Sequence, residues 1–140
     1  YDIPCRDWSS DVCSSDLLAV VNGDAALAHR SGADGLHLTA SSLAGTATRP
    51  DFEWVGASCH TRADLEKTAS LELDYALLGA VRPTLSHPDR SALGWPAFSD
   101  MITRLPMPVF ALGGLSADDL STAKAAGAHG VAGIRAIWQG

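Results

Sequence analysis

The chain has 140 residues, of which 46% are hydrophobic, and a formal charge of −6; that length supports one ordinary core, hence one domain or part of one. It has no run of about 18 apolar residues that could form a spanning helix, and no basic segment leading into an apolar one as in a signal peptide, so a cytoplasmic protein is expected. A mildly acidic balance gives no electrostatic attraction to nucleic acid or to a membrane surface.

The first 17 residues read differently from the rest. Asp7-Trp8-Ser9-Ser10-Asp11-Val12-Cys13-Ser14-Ser15-Asp16-Leu17 has neither helical nor strand periodicity and repeats Ser-Ser-Asp. It resembles a translated sequencing-library adapter, so residues 1–17 are set apart as non-native and the native chain is taken as 18–140. Without the one Arg and four Asp of that segment the charge becomes −3, and Cys59 is the only cysteine left. One thiol builds neither a disulfide framework nor a metal cluster.

From Leu18 onward the order is regular. Leu18 to Val21 reads as a buried strand, Asp24 caps a helix to about Ser31, and Gly32-Ala33-Asp34-Gly35 stops it before the short strand Leu36-His37-Leu38. Thr39 to Pro50 reads as turns. Trp54 to Ser58 is a third strand, and Thr61 caps a helix to about Leu71. Tyr75 to Leu78 is the fourth strand, followed by a long loop from Gly79 to Gly94. Apolar residues at helix spacing run from Trp95 to Leu105. Val109 to Leu112 and Val131 to Gly133 complete six strands, with a helix started by Ser116 between them. Strands that are almost wholly apolar and alternate with helices call for a parallel sheet buried on both faces. A doubly wound sheet and a (β/α)8 barrel both satisfy this pattern, although six strands are too few for a complete barrel.

The last third carries the strongest chemical signal. Pro108 to Leu112 ends in Gly113-Gly114, a helix start follows, and the next strand ends at Gly133. Glycine loops at the carboxyl ends of neighbouring parallel strands leave backbone N–H groups bare beside a helix N-terminus, which suits a phosphate.

Several motifs together resemble those of the thiamine phosphate synthase/TenI family. They are Val20-Val21-Asn22, Asp34-Gly35-Leu36-His37-Leu38, Gly56-Ala57-Ser58-Cys59-His60-Thr61, Asp74-Tyr75-Ala76-Leu77-Leu78-Gly79, Pro83-Thr84, Ala111-Leu112-Gly113-Gly114 and Gly127-Ala128-His129-Gly130-Val131, in the family's order. Gly56 to His60, Ser86-His87-Pro88, Leu93-Gly94-Trp95 and Gly133 to Trp138 look most like the TenI-like domain that follows a Nudix (MutT-like) hydrolase in bacterial fusion proteins. The resemblance implies an α/β chain forming part of a TIM (β/α)8 barrel, strands three to eight, with a Nudix domain and the first two strands lying outside this truncated chain, which is then expected to be inactive.

The functions implied are two. One is a thiamine-biosynthesis domain that binds a thiazole phosphate, either a synthase that joins it to a pyrimidine diphosphate or, as favoured here, a tautomerase that aromatises it. The alternative is a non-catalytic or regulatory domain fused to a Nudix nucleotide diphosphatase, of the type acting on 8-oxo-dGTP. By the same resemblance His60 is the proton-transfer residue, Asn22 and Ser58 face the pyrimidine diphosphate, and Thr84, Ser86 and His87 lie along the loop at the thiazole. Gly113, Gly114, Ile134 and Arg135 hold the phosphate. The Mg²⁺ of the synthases is held by two aspartates, whose positions here are Gly23 and Ser42; neither supplies carboxylate oxygen, so no metal cofactor is expected.

The other candidates read as structural. Cys59 and His60 are adjacent on a strand and point to opposite faces, a poor geometry for a Cys-His nucleophile. His37 is expected inside the barrel, His29 on a solvated helix face, and His129 at a helix stop. Trp54, Trp95 and Trp138 are packing residues.

Overall fold

A computed structural model describes residues 17–85, 89 and 91–133. Six strands, β1 (Val20–Asn22), β2 (Gly35–Leu38), β3 (Trp54–Cys59), β4 (Tyr75–Gly79), β5 (Val109–Leu112) and β6 (Gly130–Ala132), pair in sequence order. Every pairing is parallel. Sequential order with a crossover between each pair is the barrel alternative of the two architectures; a doubly wound sheet reverses its order partway.

Local chemistry accounts for the crossovers. Asp24 accepts from the Leu27 amide at 2.8 Å and starts α1 (Ala25–Ser31). Thr61 caps α3 (Arg62–Ser70) in a capping box with Asp64, so two amides at the helix start are satisfied reciprocally. Pro96, in the first turn of α4 (Trp95–Ile102), needs no intrahelical donor there. A 3-10 turn, Ala117–Asp119, leads into α5 (Leu120–Ala125).

Two expectations need correction. The stretch from Thr39 to Pro50 contains α2 (Ala40–Gly45), started by Thr39, whose hydroxyl accepts from the Ser42 amide at 3.1 Å. Its five small residues carry no helical stripe, and Leu43, which is 1% exposed, anchors the helix to the core. The helix at Trp95 stops at Ile102 rather than Leu105, and Arg104 beyond it has a positive φ of 62°. Arg62 closes that end, donating to the carbonyls of Met101 and Thr103 at 2.6 and 2.9 Å.

Strand alternation divides the sheet into two faces. Val55, Ala57 and Cys59 on β3, Ala76 and Leu78 on β4, and Ala111 on β5 are completely buried and make one cluster with Leu65, Phe98 and Ala123 of the helices. The residues between them, Gly56, Ser58, Tyr75, Leu77 and Phe110, belong to the opposite, concave face. Along the amino-terminal half of that face Leu18, Val20, Trp54, Tyr75, Leu77, Phe110 and His129 border an open cavity of about 530 Å³.

Candidate functional site

The carboxyl ends of the strands and the loops that follow them carry those residues singled out from the sequence that the structure describes, Asn22, Ser58, His60, Thr84, Gly113 and Gly114. Gly56, Ser58 and His60 share one side of β3 by alternation, and His60 follows directly on the strand end. Its ring Nδ1 lies 2.8 Å from the Gly79 carbonyl at the end of β4. A carbonyl only accepts, so Nδ1 carries the proton and, in the neutral ring, Nε2 presents a lone pair. The His60 amide donates to Asp64 at 2.9 Å, which ties the catalytic candidate to the capping box of α3.

Cys59 points the other way, into the helices. Burial pushes its thiol up to about 11, with the Asp64 charge adding to the rise and the Thr68 hydroxyl, 3.3 Å away, opposing it. At neutral pH it is a buried, protonated packing residue.

The β4–α4 and β5–α5 loops are laced together. Val81 and Arg82 amides donate to the Leu112 and Gly113 carbonyls at 2.9 and 3.1 Å. The Arg82 guanidinium reaches Asp119 in the 3-10 turn, at 2.6 Å through Nη2 and 3.2 Å through Nη1. Gly113 and Gly114 have φ of 100° and 67°, and an added Cβ would lie 2.6 Å from Ala80 Cβ or 2.9 Å from the Pro83 carbonyl oxygen. Both glycines are therefore required where the two loops pass each other. Thr84 is half-buried on the first of these loops, which brings it to the same rim as Gly113 and Gly114. Ser86, His87, Ile134 and Arg135 lie outside the described residues.

The corner where a synthase holds Mg²⁺ is built from β1 and α2. A Cβ on Gly23 would sit 3.4 Å from Thr39 Cγ2, so the Gly23 and α2 segments adjoin. Ser42 Oγ is bonded to Thr39 Oγ1 at 2.9 Å, and Asp24 uses a carboxylate oxygen to cap α1. Among the described residues no group of three or more His, Cys, Asp or Glu side chains is placed to hold a metal. Gly23 and Ser42 supply no carboxylate oxygen, and Asp24 spends Oδ1 on its helix cap, so these residues do not fit a hard divalent cation.

One constellation was not anticipated. His37, 8% exposed, bonds Tyr75 Oη through Nδ1 at 3.1 Å and Ser58 Oγ through Nε2 at 2.8 Å. The sequence placed His37 inside the sheet but gave it no partners. The available signal was the glycine: in register, His37, Gly56 and Tyr75 lie side by side on three neighbouring strands. Of the remaining histidines, His29 is exposed on α1 and stacks on Phe52 with ring centres 4.3 Å apart. His129 precedes β6, its amide donating to the Val109 carbonyl.

Comparison with known proteins gives a consistent result. A family model described as thiamine monophosphate synthase matches residues 9–137, and so takes in part of the amino-terminal segment set apart above. A thiamine-phosphate synthase of Thioalkalivibrio sulfidiphilus is 35% identical over 146 aligned residues, covering 98% of this chain and 69% of that protein. One from Agrobacterium fabrum is 38% identical, covering 86% of this chain and 59% of its own length. A solved thiamine phosphate pyrophosphorylase from Pyrococcus furiosus superposes with a TM-score of 0.67 at 22% identity, covering 85% of this chain and 57% of that one. The chain thus spans about six tenths to seven tenths of the relatives named, and its six parallel strands are part of a TIM-barrel-like fold.

Proposed function

The chain belongs to the thiamine monophosphate synthase family of thiamine biosynthesis, and on that premise we propose that its sheet rim binds a thiazole phosphate and serves proton transfer on that ring rather than Mg²⁺-dependent coupling to a pyrimidine diphosphate. The phosphate lies against the backbone of Gly113 and Gly114, whose loop stands at the carboxyl end of β5; Ile134 and Arg135 remain candidates from the sequence alone. Thr84, half-buried on the neighbouring loop, stands at the approach of the thiazole, and Ser86 and His87 remain candidates from the sequence alone. Asn22 and Ser58 present polar groups on the opposite side of the rim.

The observation that carries this reading is the contrast between two corners of the rim. His60 is held by Nδ1 on the Gly79 carbonyl, which leaves Nε2 to take a proton from one ring position and return it to another with no net change in atoms. At the Gly23–Ser42 corner neither position supplies a carboxylate and the adjacent Asp24 is engaged as the cap of α1, so a departing diphosphate would lack metal stabilisation worth on the order of several kcal/mol. The named relatives are synthases, so this reading separates the chain from them at one corner of the site.

Calorimetric titration with thiazole phosphate tests the binding half. Saturable binding that is unchanged by removal of Mg²⁺ supports the reading. A folded chain that binds neither thiazole phosphate nor pyrimidine diphosphate contradicts it and favours a regulatory domain.

A further inference from the structure

We propose that His37 is a positioning residue: held neutral between Tyr75 and Ser58, it turns the Ser58 hydroxyl proton outward as a donor to an anionic oxygen of the ligand. The inference rests on the reading above that Ser58 meets the ligand, and goes beyond it by assigning a residue that does not touch substrate.

Three strands build the relay. His37 on β2, Gly56 on β3 and Tyr75 on β4 are Cα partners across the sheet. An added Cβ on Gly56 would lie 2.1 Å from Tyr75 Cζ; only glycine lets the phenol ring lie across β3 so that its hydroxyl reaches the imidazole on β2. Ser58 is two residues further along the same side of β3, toward the carboxyl rim. The line Tyr75 Oη, His37 Nδ1, His37 Nε2, Ser58 Oγ therefore runs from the amino-terminal part of the concave face to the rim, through contacts of 3.1 and 2.8 Å. The His37 and Tyr75 rings stack at 5.6 Å between centres, which fixes the imidazole plane.

The direction of the chain follows from what each group can do. A phenol hydroxyl is a better donor than acceptor, and burial, helped by the Asp74 charge, raises the Tyr75 phenol above its usual range, so it keeps its proton. Tyr75 then donates to Nδ1, Nε2–H donates to Ser58 Oγ, and the Ser58 proton is left for the ligand. Burial also lowers the His37 value, and a neutral ring has just one N–H to give. The side chains that face His37 are Tyr75 from β4 and Ser58 from β3, with Asn22 its register partner on β1; none of the three carries a charge at neutral pH.

Long-range ¹⁵N–¹H NMR of the whole chain reads the tautomer directly. The expected result is neutral His37 protonated on Nε2 at pH 7, with the signal moving toward the other tautomer in Tyr75→Phe. An Nδ1-protonated or doubly protonated ring in the wild type overturns the proposal. Calorimetry with inorganic diphosphate and, separately, thiazole phosphate reads the consequence and shows which anion Ser58 meets. His37→Leu should weaken the affected ligand about as much as Ser58→Ala, roughly five- to tenfold, and the double variant no further. His37→Gln, whose amide N–H reaches toward the place of Nε2–H, should recover most of that loss. If Ser58→Ala weakens binding while His37→Leu does not, or if Gln rescues no better than Leu, the positioning role fails and the ligand reading survives. If Ser58→Ala leaves both ligands unaffected, the reading of Ser58 fails and takes the positioning role with it.

Discussion

On the helix side of the sheet Val55, Ala57, Cys59, Ala76, Leu78 and Ala111 have no solvent exposure, whereas one residue along the same strands Ser58, Tyr75, Leu77 and Phe110 are only partly buried. One face is apolar and closed by helices; the other carries a hydrogen-bonded line of Tyr75, His37 and Ser58, while His60 at the rim is held separately on the Gly79 carbonyl. A parallel strand thus separates stability from chemistry by alternation alone. Changes on the helix face should act on folding, and changes on the concave face on ligands.

The largest effect is expected in the closed face. Phe98→Ala empties a fully buried site of the core cluster and should cost about 3–5 kcal/mol in urea denaturation; Leu78→Ala should cost about 2–5 kcal/mol. Leu77→Ala, next door on the open face, should cost much less. Equal losses at Leu77 and Leu78 would erase the distinction between the faces.

Gly56→Ala sits where the comparison breaks down, because a methyl on the concave side meets the Tyr75 ring. It should destabilise by about 1–3 kcal/mol and disrupt the Tyr75–His37 contact, visible in the His37 ring signals. Thr61→Ala removes one half of the capping box at the start of α3 and should cost about 1 kcal/mol.

Burial opposes charge on Asp64, but the amide bonds from His60 and Thr61 and the Thr61 side chain outweigh it and hold the carboxyl below its usual range. Its contribution to stability is then present above the unfolded carboxyl value of about 3.9 and is lost as pH falls through the lower folded value. A Thr61→Ala variant should show a shallower acid limb in denaturation curves. The smallest effect concerns Cys59, whose thiol lies at about 11. It should resist thiol reagents at pH 8 until the protein unfolds, and fast labelling of Cys59 in the native protein, told apart from Cys5 and Cys13 by peptide mapping, would contradict its placement.

Much of this was readable in the residues. Asp24 and Thr61 are strong caps, and short apolar runs marked all six strands within a residue or two. The motif at Ser58 to Thr61 placed His60 at a strand end, and alternation already argued against a Cys59–His60 pair. What escaped was non-local. Helix α2 is made of small residues whose helical state depends on Leu43 meeting the core. The His37 relay needs the register of β2, β3 and β4, which no single stretch encodes. Gly113 and Gly114 read as a phosphate loop; the structure adds that they let the neighbouring loop pass within 2.6–2.9 Å of an added Cβ, so their conformations serve the loop crossing as well.

The claim at the centre of this account is that the rim moves protons and does not expel a metal-bound diphosphate. It is tested by assaying thiazole phosphate aromatisation and thiamine phosphate formation side by side, with and without Mg²⁺, in a chimera that joins this chain to the remaining part of the barrel of a synthase relative. Aromatisation should survive removal of Mg²⁺ and be lost in His60→Ala, with little thiamine phosphate formed. Robust Mg²⁺-dependent formation of thiamine phosphate, undiminished by His60→Ala, would contradict it and show that a carboxylate such as Asp24 leaves its helix cap to hold the metal.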